Sequence, residues 1–417
     1  MGPTAVIMAK LLYYGADSTL ALDLGPEALV AQCNGPRGTP LEDVASEVAG
    51  ALDEPLDFPP LRRATVPGDR VVLALDHHLP QAPALVCGVV GTLLGSGIEP
   101  RDISLVRSQA GVQPESEDLT AMLAPDVSRA ITVLDHDPRQ RAGLAYLAAS
   151  RDARPIYMNR AICDADLVLP IGCLRLESSW GYLGVHGGLY PAFADHETQQ
   201  SYFQPGRIDS PGQQQRRRGE ADEAVRLLGV QLTIQVIPGG GDSVLDVLAG
   251  SVDAVHSRGR DLCEAAWNYE VPQRASLVVA TVEGSPQHQT WENFARALFA
   301  ASRAVADDGA IAVCMDLATD PSPAWQRIAA ADDIQAAIRQ IGKDGSPAAQ
   351  LAHTLDRAKV YLLSHLDQEV VEPLGVAYVA DANEIARLSS RHDSCIVLRN
   401  AQYAVPTPLE DRGAQTC

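Results

Sequence analysis

Lysine is nearly missing from this chain. It stands at Lys10, Lys343 and Lys359 and nowhere between positions 11 and 342. Chemistry that needs an unprotonated side-chain amine is therefore excluded across that span. Basic residues as a whole are scarce, 33 against 53 acidic ones, and the net charge is −20. Such a surface repels phosphate backbones and anionic bilayers, so neither nucleic acid nor a membrane is expected as a partner. The run Arg216-Arg217-Arg218 after Gln213-Gln214-Gln215 reads as a solvated loop or helix entry. Paired cysteines are lacking too. Eight are scattered without a CxxC, and the closest two, Cys163 and Cys173, fit no zinc or haem spacing. Most sit in apolar runs, read as reduced core residues, and imply a reducing, cytoplasmic setting. No secretory leader is expected, because Lys10 lies in a strand-like stretch with no apolar region and cleavage site after it. The longest apolar run, Ala82 to Ile98, is interrupted by Gly88, Gly91, Thr92, Gly95 and Ser96 and reads as a buried crossover helix. GxGxxG after a strand, a P-loop and a GxSxG elbow are all absent.

What remains is globular. With 417 residues and 46% hydrophobic content, the chain has material for two cores. Short strands around turns open it (Val6–Tyr14, Ser18–Leu24, Ala28–Cys33). From Gly68, strands such as Val71–Leu75, Ile103–Val106 and Leu167–Ile171 alternate with helices expected over Ala82–Gly95, Glu115–Leu123 and Pro138–Ala149. That alternation predicts βαβ crossovers and mostly parallel sheets. A polar loop is expected over Gln199–Arg218 and a hairpin around Gly239-Gly240-Gly241, where a phosphate nest is the less favoured alternative. A second α/β unit begins at Ala275. The expected architecture is α/β with two domains, each a mostly parallel sheet flanked by helices, plus an N-terminal β-hairpin region. The division falls at Pro272, giving 1–272 and 273–417.

Ligands of open α/β sheets bind beyond the carboxyl ends of the strands. The residues there include Asp76, His77 and His78, then His136, then Asn159 and Arg160. The segment after Gly172 adds Glu177, Trp180, Gly184, His186, Gly187 and Gly188, and the second domain adds Glu283, Asp316, His365 and Asp381. Asp135, Asp316 and Asp381 are explained as caps of the next helix or turn. Asp76, His77, Arg160, Trp180, Gly184, Gly187 and Gly188 are expected to line a ligand cleft. Glu177, His136 and His186 are the candidate acid and base groups. His77 and His78 on one strand would face opposite ways, and no HExxH is present.

The stretch Pro155-Ile-Tyr-Met-Asn159-Arg160-Ala-Ile-Cys-Asp164-Ala-Asp166-Leu-Val-Leu-Pro-Ile-Gly172 resembles the central segment of the nickel-pincer nucleotide lactate racemase family. Leu134-Asp135-His136-Asp137, the run Gly181 to Pro191 and the unit from Ala275 through Ser285-Pro286 to Val313 extend the resemblance. It implies two α/β domains with a nickel-pincer nucleotide between them, tethered to a lysine. A histidine would help hold nickel, and other histidines would move the α-proton of a 2-hydroxy acid. The matching positions depart from that pattern. Leu79 stands for a substrate-binding arginine, Val112-Gln113 and Glu177 for two proton-transfer histidines, Gly187 for the tethering lysine, and Trp291-Glu292-Asn293-Phe294-Ala295 for a Tyr-Gln-x-x-Lys run. Asp76 survives, and His196 lies near the metal-ligand histidine.

Two readings of the function result. One is a non-catalytic paralogue that binds a small organic acid or nucleotide and carries no covalent cofactor. The alternative is a racemase, epimerase or other isomerase of a 2-hydroxy acid, with a rebuilt site of Glu177, His136 and His186.

Overall fold

The computed structural model describes residues 8–24, 27–77, 79–108, 118–149, 154–176, 185–202, 211–333, 337 and 345–412. The strands, in chain order, are β1 Met8–Tyr14, β2 Ser18–Leu24, β3 Leu29–Cys33, β4 Val71–Leu75, β5 Ile103–Ser108, β6 Thr132–His136, β7 Leu144–Ala149, β8 Pro155–Asn159 and β9 Leu167–Cys173. They continue with β10 Leu232–Pro238, β11 Val244–Ser251, β12 Asn268–Val271, β13 Ala275–Thr281, β14 Val305–Cys314, β15 Lys359–Leu363, β16 Ala377–Val379, β17 Cys395–Leu398 and β18 Val405–Pro408. Two six-stranded sheets result, ordered β11-β10-β9-β4-β5-β6 and β16-β15-β14-β13-β17-β3. The second is parallel throughout, and the first is parallel except for β11.

Central strands buried on both faces need continuous apolar runs, and β4 supplies one with all five residues buried. The helix Ala82–Gly95 covers it and packs against the helix Val44–Asp53, whose start is capped by Asp43 accepting from the Ser46 amide. Their close approach depends on Gly88, where a Cβ would come within 2.5 Å of the Ala45 carbonyl. The apolar run is thus a crossover helix. No helix among the described residues is long and apolar enough to cross a membrane.

Four expectations are corrected. The helix expected over Pro138–Ala149 is a 3-10 turn followed by β7, which pairs antiparallel with β8. Its alanines favour a helix, and pairing with the partner strand overrides that local preference. Residues 118–123 form turns, with Asp118 accepting from the Thr120 amide and hydroxyl, so the described part of Glu115–Leu123 is not helical. The polar loop over Gln199–Arg218 contains the end of one helix, His196–Tyr202, and the start of another, Pro211–Leu227. A helix is expected from the sequence over Gly219–Leu228, where Ala221, Ala224 and Val225 form its buried stripe. The turns over 211–218 that precede it hold only proline, glycine, glutamine and arginine, with no apolar periodicity to mark them.

The fourth concerns domain membership. The chain crosses between the sheets through β12, but residues 8–33 do not stay with the first. Strand β3 pairs in parallel with β17 at the edge of the second sheet. Leu12, Leu20, Leu22 and Leu24 of the hairpin share a core with Leu277, Val279, Ala312 and Val397. The pairing partner lies at the other end of the sequence, beyond the reach of local pattern.

Candidate functional site between the two sheets

In each sheet the strand order reverses at one place. In the first, β4 leads to β5 and β6 on one side while β9 lies on the other. In the second, β13 leads to β14, β15 and β16 while β17 lies on the other side. Crevices at such reversals are where open α/β sheets hold ligands. The first opens on Asp76 and His77 after β4, and on Leu174 and Arg175 after β9. The Asp76 amide donates to Ile171 (2.9 Å), tying the two strand ends together.

The two crevices face each other. His77 Nδ1 lies 3.0 Å from Asp76 Oδ1, and Nε2 lies 2.9 Å from Oε2 of Glu292, in the first turn of the second-domain helix Trp291–Ala304. Glu292 also pairs with Arg296 one turn on. The Arg175 guanidinium sits over the Tyr403 ring, 5.7 Å from its centroid. Burial alone would depress the His77 pKa, but the charges of Glu292 and Asp76 and their hydrogen bonds outweigh it and push it up to about 9. For Asp76, burial works upward and is outweighed by His77 and Arg175, leaving the carboxyl below its ordinary value. At neutral pH, the bridge is carboxylate–imidazolium–carboxylate. Gly188 adjoins it, and a Cβ there would stand 3.3 Å from the Asp76 carboxyl carbon.

Other candidates go elsewhere. His136 is buried, with Nε2 2.9 Å from the Ala194 carbonyl, Nδ1 3.2 Å from Asn159 Nδ2, and its ring beside Phe193. That is a core histidine, not a cleft base. Arg160 donates to the Ala142 and Leu144 carbonyls and holds the β7–β8 ribbon. His186 is in the 3-10 turn Val185–Gly188 with Gly187 and Gly188, and its Nδ1 lies 2.7 Å from Asp222. His196 opens its helix, and its amide donates to Pro138. No group of three or more His, Cys, Asp or Glu side chains placed to hold a metal ion occurs among the described residues. Glu177, Trp180, Gly184 and His78 lie outside the described residues, as do Val112 and Gln113.

The second crevice is filled by the chain itself. Glu283 takes a two-pronged pair from Arg399 (2.7 and 2.8 Å), and the turn of the first hairpin inserts Gly15 between the carbonyl of Val282 and the amide of Gly284. Asp316 accepts from Ala16 and Ser18 of that turn, so it is not a helix cap, whereas Asp381 is one. Asp135 pairs with Arg107 at 2.6 Å. The triple glycine is a hairpin turn: Gly241 donates to Asn400, and Asp242 accepts from the Ser285 amide and hydroxyl and pairs with His288. Sequence reasoning reaches Glu292 only through the run that stands for the family's Tyr-Gln-x-x-Lys, and does not single out Arg296 or Tyr403 as site residues. For Arg296 the signal is its i, i+4 spacing from Glu292 after a strand and turn.

Residues 14–214 match the family described as the lactate racemase N-terminal domain. Over that span the chain is lactate racemase-like. Its fold is that of the lactate racemase apoprotein from Thermoanaerobacterium thermosaccharolyticum, with a TM-score of 0.75 at 16% identity over 96% of this chain and 100% of the other. A Thermotoga maritima protein superposes with a TM-score of 0.64 at 12% identity, covering 89% and 99%. No curated protein matches the sequence.

The positions that the resemblance aligns with the family's cofactor-tethering and second-domain lysines carry no lysine in this chain. Gly187 offers no side chain. Leu79 and Ala295, which stand for the arginine and the second-domain lysine, are 5% and 3% exposed in the hydrophobic core. Glu292 is engaged with His77 and Arg296. Lys359 opens β15, at the amino end of its strand and opposite the crevice, and Lys10 lies in β1 paired with Leu22. Lys343 lies outside the described residues.

Proposed function

We propose that this lactate racemase-like protein is a non-catalytic paralogue that holds a small organic acid in the crevice between its sheets, without a covalent cofactor. The observation that carries the reading is the fate of positions the family equips for chemistry. Leu79 and Ala295 have become core packing, while Asp76 and Glu292 are tied into a bridge between the sheets. The crevice keeps cationic groups, His77, Arg175 and Arg296, suited to a carboxylate. A nucleotide is less well served, because the triple-glycine loop spends its amides and Asp242 on the second sheet.

Intact-mass measurement after expression in a host that makes the pincer cofactor should return the bare polypeptide. A thermal-shift panel of hydroxy acids should find a stabiliser, since a ligand of the native state raises stability by mass action. A nucleotide-sized adduct, or turnover of lactate enantiomers, would overturn the proposal.

The isomerase reading draws on one observation. His186 is oriented through Nδ1 by Asp222, and its buried Nε2 has no hydrogen-bond partner, as a positioned base would have before substrate arrives. Racemisation or epimerisation of a 2-hydroxy acid, abolished by His186→Gln, would favour it.

A further inference from the structure

We infer that Glu292 is an internal stand-in for a ligand carboxylate, and that a small organic acid enters the crevice by displacing Glu292 from His77. This rests on the reading that the crevice binds such an acid.

The two carboxylates on the imidazole are not equivalent. Asp76 is fixed at the end of β4: its amide is bonded to Ile171, its side chain is 12% exposed, and Gly188 abuts it. It positions and charges the ring. Glu292 arrives from the other sheet's side, on the first turn of a helix, and is 27% exposed. It also has somewhere to go. Arg296 is one turn along the same helix and already pairs with it, so Glu292 can leave His77 without becoming a buried unpaired charge.

The exchange conserves charge. Asp76 at the end of β4 and Glu292 on the helix face His77; Arg175 beyond β9 lies by both carboxylates, with the Cys173 and Tyr403 side chains close to it, and Arg296 pairs with Glu292. An incoming monocarboxylate puts one negative charge where another stood. Because the Glu292 contact joins the two sheets, its release also removes one tie across the crevice, so ligand entry and opening are coupled.

The test is titration calorimetry of the full chain with glycolate and with acetate, comparing wild type, Glu292→Gln, Glu292→Asp and the double variant His77→Gln/Glu292→Gln. Apparent affinity falls by the fraction of sites already occupied from within. Glu292→Gln should therefore tighten binding at neutral pH by about tenfold or more if the bridge is formed in about nine molecules of ten. Glu292→Asp, which keeps the charge but draws it back, should tighten it less, and it serves as the second probe if the glutamine variant does not fold. The double variant should lose the gain. Wild-type binding that Glu292→Gln leaves unchanged or weakens would overturn the displacement while leaving the binding crevice standing. No binding by any folded variant would overturn both.

Discussion

Deprotonating His77 should loosen the contact between the two sheets, and its size can be worked from the bridge. The imidazole lies within 3.0 Å of two carboxylates and keeps its proton up to about pH 9, against an ordinary value of 6.5. A group whose pKa is raised on folding contributes stability that is complete below its unfolded value and is lost as pH climbs through its folded one. The window therefore runs upward from about pH 6.5 to about pH 9. The difference corresponds to about 3 kcal/mol. That is an upper figure, because the ring is a quarter exposed and solvent screens part of the interaction. Urea denaturation of wild type and His77→Gln, at steps from about pH 6 to about pH 10, isolates the term, since other groups titrate in both proteins. The wild type should be the more stable at the acid end, and its advantage should shrink by about 1–3 kcal/mol toward the alkaline end. A constant difference would refute the carboxylate–imidazolium–carboxylate assignment, and an advantage that grew with pH would refute the sign.

Asp242→Ala should cost about 1–3 kcal/mol, read by denaturation, because it removes three bonds to Ser285 and His288 and strands a histidine whose side chain is 3% exposed. Asp242→Asn should recover part of that loss. Gly15→Ala should destabilise by a similar or larger amount, about 1–3 kcal/mol from strain at positive φ before any clash is counted. Gly15 has φ +60, and a Cβ would fall 1.7 Å from the Asp316 carboxylate, which would have to abandon Ala16 and Ser18. A melting temperature unchanged from wild type would show that the hairpin turn is not seated as described.

The elements that sequence determined are those whose signal is local. An unbroken apolar run buried on both faces makes β4 a central strand, and Gly88 within a helical apolar stretch marks close packing and not a membrane span. Glycines between two strand-like runs make the 239–241 turn. In each case a few neighbouring side chains carry the physics. Tertiary structure decided the rest, because the deciding partner is remote. Leu144–Ala149 is a strand because β8 is there to pair with it. Residues 211–218 continue the helix that ends at Leu227 because its buried stripe is anchored on a surface they cannot signal themselves, and β3 belongs to the second sheet because β17 offers an open edge. The site divides along the same line. Asp76 and His77 could be placed at a strand end from sequence, since residues just past the carboxyl end of a parallel strand face the ligand side. That His136 is consumed by Asn159 and Ala194, and that Glu292 reaches His77, depends on how two separately wound sheets meet. No spacing along the chain encodes that contact, because it is fixed by the packing of one sheet's crevice against the other's.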